Sequence, residues 1–274
     1  MANNIKTTKK KILAEIKKDY NGNLINRIIL KKKLIQGDNK LFYFFNNPDT
    51  LQNDPFDKIK IFEVPIDDYK CSLNEKGRKK YGKMENLNFV NNSKVGTKYG
   101  YLHLPEIRKS KYLKSIFQFE GENIEEIVID NIKSLSTDDI LEWDKKLKYT
   151  VLEYKEGGFF SEHIDNENSK KHLGTLLIFP PAIDSLEHSG GDLILENGVW
   201  DLVIPSANNK KWKFIAFHTD IKHACLKVKK GRRLILKTEL FTKNKINNMK
   251  IPSPVCIDGG IELPPEKYYE QCYD

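Results

Sequence analysis

An imidazole and a carboxylate stand two positions apart at His163 and Asp165, with Ile164 between them. On an extended strand, residues i and i+2 point to the same face. The two polar side chains therefore converge while Ile164 turns away. A second imidazole from elsewhere in the chain would complete two histidines and one carboxylate on one face of a metal ion. That donor set leaves coordination positions open and suits Fe(II) that must also take a bidentate co-substrate and dioxygen. Zinc in such a place is more often four-coordinate with one open position. The pair alone is a cheap pattern, because His218, Thr219 and Asp220 repeat it.

Four histidines downstream compete for the third position: His172, His188, His218 and His223. His223 reads as opening a strand that turns at Lys229-Lys230-Gly231 and returns through Arg233. A guanidinium on the strand beside a metal ligand can pair bidentately with the distal carboxylate of a chelated dicarboxylate. His218 lacks an arginine at that spacing and follows the apolar run Phe214–Phe217, so His223 is preferred. Arg232 directly precedes Arg233. Alternation selects Arg233 if Ile235 and Lys237 share its face, and a bulge would reverse the choice. Lys237 turned inward would need a partner or a place at the rim.

These residues lie within four ordered motifs. The run Tyr154-Lys155-Glu156-Gly157-Gly158-Phe159-Phe160-Ser161-Glu162-His163-Ile164-Asp165 resembles the first metal motif of the prolyl 4-hydroxylase-like 2-oxoglutarate/Fe(II) dioxygenases. Gly174-Thr175-Leu176-Leu177-Ile178 resembles their next core strand, and Ser189-Gly190-Gly191-Asp192-Leu193 a further segment. The stretch from His223 through Val228 and Gly231 to Arg233 resembles their closing motif. The resemblance covers about residues 148–241. It implies a double-stranded β-helix, or jelly roll, with His163, Asp165 and His223 as ligands of Fe(II). Arg233 would then anchor 2-oxoglutarate, with Tyr154 and, more weakly, Thr175 as further co-substrate contacts. The implied reaction consumes O2, converts 2-oxoglutarate to succinate and CO2, and hydroxylates a substrate C–H bond, with ascorbate as a further candidate cofactor.

Positioning such a site requires strands. After Lys146, eight strand-like runs follow at about 148–154, 159–165, 173–179, 192–196, 199–204, 211–217, 222–229 and 232–241. Gly157-Gly158, Pro180-Pro181, Gly190-Gly191, Asn197-Gly198, Asn208-Asn209 and Gly231 separate them, and Asn197-Gly198 is a strong hairpin signal. Short strands without intervening helices predict a mainly β, antiparallel barrel or sandwich. Gly190-Gly191 reads as a backbone turn, and Phe159, Phe160 and the tryptophans as packing residues. Residues 146–243 thus form the expected jelly-roll domain, flanked by α-helices. Residues 1–145 are an N-terminal α/β extension, and 244–274 a proline-bearing tail.

Within the extension, Ile12, Leu13 and Ile16 have helical spacing, and 28–30 and 41–45 read as strands. The stretch 46–100 reads as irregular. Pro105 can open a helix carrying Tyr112, Leu113, Ile116 and Phe117. Ser136 or Thr137 can cap another with Ile140, Leu141 and Trp143.

The chain has 274 residues and a net charge of +8. Residues 1–40 hold eleven basic and three acidic side chains, which is the entire excess. That segment is either a solvated lysine-rich face or a basic arm for nucleic acid. A protein or peptide substrate is expected first, by family analogy, with a nucleic-acid substrate or a non-catalytic binding module as alternatives. No apolar run is long enough for a membrane helix, and the first residues lack the apolar core of a secretory signal. Cys71, Cys225, Cys256 and Cys272 show no C-x-x-C spacing. Reduced thiols in an intracellular protein are therefore expected.

Overall fold

The computed structural model describes residues 58–66, 89–97, 100–119, 124–136, 148–165, 172–196, 200–207 and 209–242, with short strand segments at 35–36, 43–46, 69–75, 78–82 and 141–142. The expected helix at 12–16, the strand at 28–30, the basic arm apart from 35–36, and the tail lie outside the described residues.

Twelve strands and one helix position the site. They are β1 (Tyr43–Asn46), β2 (Ile59–Val64), β3 (Arg108–Phe119), α1 (Ile124–Ile132), β4 (Lys148–Lys155), β5 (Phe159–His163), β6 (His172–Phe179), β7 (His188–Gly190), β8 (Leu193–Glu196), β9 (Trp200–Ile204), β10 (Trp212–His218), β11 (Lys222–Cys225) and β12 (Val228–Thr242). All their pairings are antiparallel. One sheet runs β2-β10-β6-β12-β4-β3. The other runs β1-β9-β8-β11-β5-β3. β3 serves both: Arg108 and Lys109 pair with β5, and residues from Lys111 onward pair with β4. The result is the expected mainly β jelly roll, with strands from the N-terminal extension widening both sheets.

Alternation along the strands divides the apolar residues into two cores. Leu152, Tyr154, Leu177, Phe179, Ile215, Phe217 and Ile235 face the barrel interior with Leu193, Leu195, Leu202 and Ile204 of the second sheet. Their neighbours Val151, Leu176, Ile178, Phe214, Leu234 and Leu236 face outward, where Val128 and Ile132 of α1 cover them. β6 is buried along its whole length for this reason. Each large aliphatic or aromatic side chain so buried contributes roughly 1.5–3 kcal/mol.

The eight expected strands after residue 146 are all present, with β7 as an addition. Four expectations are corrected. Arg108–Phe119 is a strand, not a helix: Pro105 lies in a turn, and pairing on two sheets overrides a helix-like spacing of Tyr112, Leu113, Ile116 and Phe117. Leu141-Glu142 pairs with Phe241 and Thr242 as a strand, so the helix proposed through Leu141 is not formed there. The described parts of 46–100 are mostly strands, among them β2, which borders β10. β11 also ends before Leu226-Lys227, ahead of the expected turn at Lys229-Lys230-Gly231. Gly231 instead sits inside β12 with φ +83°, and a Cβ there would run into the Glu187 carbonyl oxygen of the crossing segment. Only glycine fits that close approach.

Candidate functional site

The strand ladder brings the site together. His163 closes β5 and lies directly opposite His223 of β11, after a register shift between Phe160 and His163. Their rings are 4.1 Å apart. Asp165 follows just past the end of β5. Nε2 of His163 lies 4.0 Å from Asp165 Oδ1, and Nε2 of His223 lies 3.8 Å from Asp165 Oδ2. One potential ligand atom from each of the three falls within 4.8 Å of the others.

Backbone carbonyls orient both imidazoles. His163 Nδ1–H donates to the Ser161 carbonyl at 2.7 Å, and His223 Nδ1–H donates to the Ile221 carbonyl at 3.0 Å. A neutral ring that donates through Nδ1 presents a lone pair at Nε2. Burial holds His163 well below the usual imidazole range, helped by the neighbouring His223. Burial also lowers His223. For Asp165 burial acts upward, but Lys237, His223 and His163 together outweigh it and hold the carboxyl well below its usual range. Two neutral imidazoles and a carboxylate are the protonation states a divalent first-row metal requires.

Both Asp165 oxygens carry donors. Thr175 Oγ1 donates to Oδ2 at 2.6 Å, and Lys237 Nζ donates to Oδ1 at 2.7 Å. Thr175 thus lies within hydrogen-bond reach of the carboxylate beside it. Phe160 stacks on the His163 ring at 3.5 Å, and Arg108 lies over Phe160 at 4.4 Å. Phe160 is therefore a wall of the site as well as packing. His163, Asp165, His223, Tyr154, Cys225 and Lys237 all line one cavity of 190 Å³.

At the inner end, Arg233 lies opposite Tyr154 in the β4-β12 ladder. It is 1% exposed. Its guanidinium lies over the rings of Phe179 at 4.6 Å and Tyr154 at 5.5 Å, and Nη1 donates to Cys225 Sγ at 2.9 Å. Nε and Nη2 are buried without a hydrogen-bond partner. Arg233 does not itself line the cavity; it lies against Tyr154 and Cys225, which do. A buried cation with unsatisfied donors is costly, and an incoming carboxylate would satisfy both nitrogens. Gly191 makes room for this side chain: at φ +79°, a Cβ there would meet Arg233 Cδ at 2.8 Å. Arg232 points to the opposite face and pairs with Glu153 at 2.6 Å. Burial pushes the Tyr154 hydroxyl up to about 12, with Cys225 adding to the shift, so it remains a proton donor.

The other histidines are placed elsewhere. His218 donates through Nε2 to the Leu135 carbonyl at 2.6 Å, beyond the end of α1. His172 contacts the Gly174 carbonyl at 3.0 Å and the Phe241 ring, although it borders the cavity. His188 bridges the Leu186 carbonyl and the Ser206 hydroxyl. Arg108 and Cys225 were not singled out from sequence. Arg108 enters only through the non-local pairing of β3 with β5. Cys225 could have been found by alternation, since it lies two residues after His223 on β11.

No family model matches this chain, and no curated protein matches it. Solved structures do resemble it. A prolyl hydroxylase from Trichoplax adhaerens, in complex with a hypoxia inducible factor peptide fragment, is 18% identical with a TM-score of 0.38, over 56% of this chain and 70% of that one. An oxidoreductase of the 2OG-Fe(II) oxygenase family from Burkholderia pseudomallei is 11% identical with a TM-score of 0.36, over 60% and 78%. A viral collagen prolyl hydroxylase from Paramecium Bursaria Chlorella virus-1, in its 2OG complex, is 20% identical with a TM-score of 0.36, over 50% and 81%. Among the described residues, no helix is long and apolar enough to cross a membrane.

Proposed function

We propose that the protein is a non-haem Fe(II)- and 2-oxoglutarate-dependent dioxygenase that hydroxylates a C–H bond of a protein or peptide side chain, in the manner of a prolyl hydroxylase. The observation that carries this reading is a cavity lined by a potential metal-ligand group, with an unsatisfied cation behind its wall. In the cavity lining, two imidazole Nε2 atoms and a carboxylate converge within 4.8 Å. Behind its wall, Arg233 holds two buried nitrogens without partners.

His163, Asp165 and His223 would hold the iron, which when bound would activate dioxygen at the expense of 2-oxoglutarate. The backbone acceptors of Ser161 and Ile221 fix the imidazole tautomers, and Thr175 fixes the carboxylate. Arg233 would take the distal carboxylate of 2-oxoglutarate through Nε and Nη2, with the protonated Tyr154 hydroxyl as a neighbouring donor. Phe160 and the apolar barrel residues around it limit water at the metal. The prolyl hydroxylase-like motifs support a protein or peptide substrate by family analogy.

The test is turnover. Reconstituted with Fe(II), the protein should form succinate from 2-oxoglutarate, faster when a proline-containing peptide library includes a substrate. His163→Ala should abolish that turnover. Full activity in His163→Ala would remove the metal assignment.

A further inference from the structure

Lys237 lies two positions after Ile235 on β12, so strand alternation turns it into the barrel with Arg233. A lysine directed inward needs a partner. Its ammonium meets Asp165 Oδ1 at 2.7 Å, and its side chain keeps 27% exposure against 11% for the carboxylate. Lys237 is thus a cation with a route to solvent, set against a buried anion. Thr175 separately holds Asp165 Oδ2 at 2.6 Å, so the carboxylate's orientation has a second support. A dication bound to Asp165, His163 and His223 would attach to the carboxylate that Lys237 already occupies. Like charges so close, in a site with little water, repel strongly.

We infer that Lys237 is the resident counter-cation of the site. It neutralises Asp165 while no metal is bound, competes with the metal for that carboxylate, and is released along its long stem when the metal enters. This inference rests on the reading of the three residues as metal ligands. Its consequences have opposite signs. Removing the charge leaves Asp165 buried and unpaired in the metal-free protein, which destabilises it. The same change removes a repulsion, so the metal binds more tightly. A residue that only oriented Asp165 would give the reverse, since losing an outer-shell partner weakens metal binding roughly 10- to 100-fold.

The experiment compares wild type, Lys237→Gln and Lys237→Arg. Each is titrated with Mn(II) alone, by calorimetry, and its metal-free form is melted. Glutamine keeps a donor and drops the charge. Lys237→Gln should bind Mn(II) about tenfold more tightly, melt lower without metal, and gain more from metal addition. Lys237→Arg should stay close to wild type. Weaker or unchanged Mn(II) binding in Lys237→Gln overturns the inference. Absence of Mn(II) binding in wild type overturns the site reading beneath it as well, so the two failures are distinguishable. A measurement on wild type stands even if the glutamine variant does not fold. Lysine Nζ NMR should show an exchange-protected ammonium, assigned to Lys237 by its absence in Lys237→Arg, that loses protection when Zn(II) is added, while that of the buried Lys213 on the Pro205 carbonyl keeps it. Protection that survives Zn(II) binding contradicts release.

Discussion

Replacing Arg233 with methionine should separate stability from co-substrate binding. In the metal-free protein, Nε and Nη2 are buried without partners, and each such atom costs about 1–3 kcal/mol. Methionine removes both. It also loses the Cys225 bond and the placement over Phe179 and Tyr154, cation–π contacts worth roughly 0.5–2 kcal/mol each. These effects oppose one another and are of similar size, so stability should change by less than about 2 kcal/mol. Binding of 2-oxoglutarate should respond very differently. Under the proposed function, two charge-assisted hydrogen bonds to its distal carboxylate would contribute roughly 1.5–3 kcal/mol each. Their loss predicts a dissociation constant raised by about 10²- to 10⁴-fold. Urea unfolding gives the first quantity, and calorimetric titration of the Fe(II)-loaded protein without oxygen gives the second. An affinity kept within about threefold, together with a large loss of stability, would refute the reasoning.

Three further outcomes follow from the same geometry. Arg232→Ala should show the converse pattern: Glu153, 3% exposed and bonded to Arg232 at 2.6 Å, loses a partner, so urea midpoints fall while 2-oxoglutarate affinity holds. Thr175→Val removes the hydroxyl on Asp165 Oδ2 and should weaken Mn(II) binding by roughly tenfold or more, with an unchanged constant arguing against its positioning role. The metal-free protein should lose stability on acidification. Burial holds His163 and His223 below the ordinary imidazole value of 6.5, so below that pH the unfolded chain binds more protons than the folded one. Asp165, held below its ordinary 3.8, adds a loss of the same sign from that pH downward. Melting temperatures that rise as pH falls below about 6.5 would contradict this.

The site was more legible in the sequence than the scaffold around it. His163 and Asp165 are separated by one residue, and the strand period alone aligns them. The choice of Arg233 over Arg232 followed from a condition on Ile235 and Lys237, and the structure meets it: those residues face inward while Leu234 and Leu236 face outward. The partner of Lys237 was not legible, because its contact with Asp165 spans 72 positions. Residues 108–119 were misread because Tyr112, Leu113, Ile116 and Phe117 fit helical spacing. Their state is set by two neighbouring strands that the local pattern does not contain. The early end of the strand after His223 has a similar origin. Gly231 looked like a hairpin residue, yet its positive φ serves a close crossing inside a long strand.

The most direct test of the central claim is spectroscopic. Under anaerobic conditions, addition of Fe(II) and 2-oxoglutarate to the wild-type protein should produce the visible metal-to-ligand charge-transfer band of the chelated keto acid. His163→Ala and His223→Ala should lack it, and His218→Ala should retain it. No band in the wild-type protein, or a band lost in His218→Ala and kept in His223→Ala, would contradict the account.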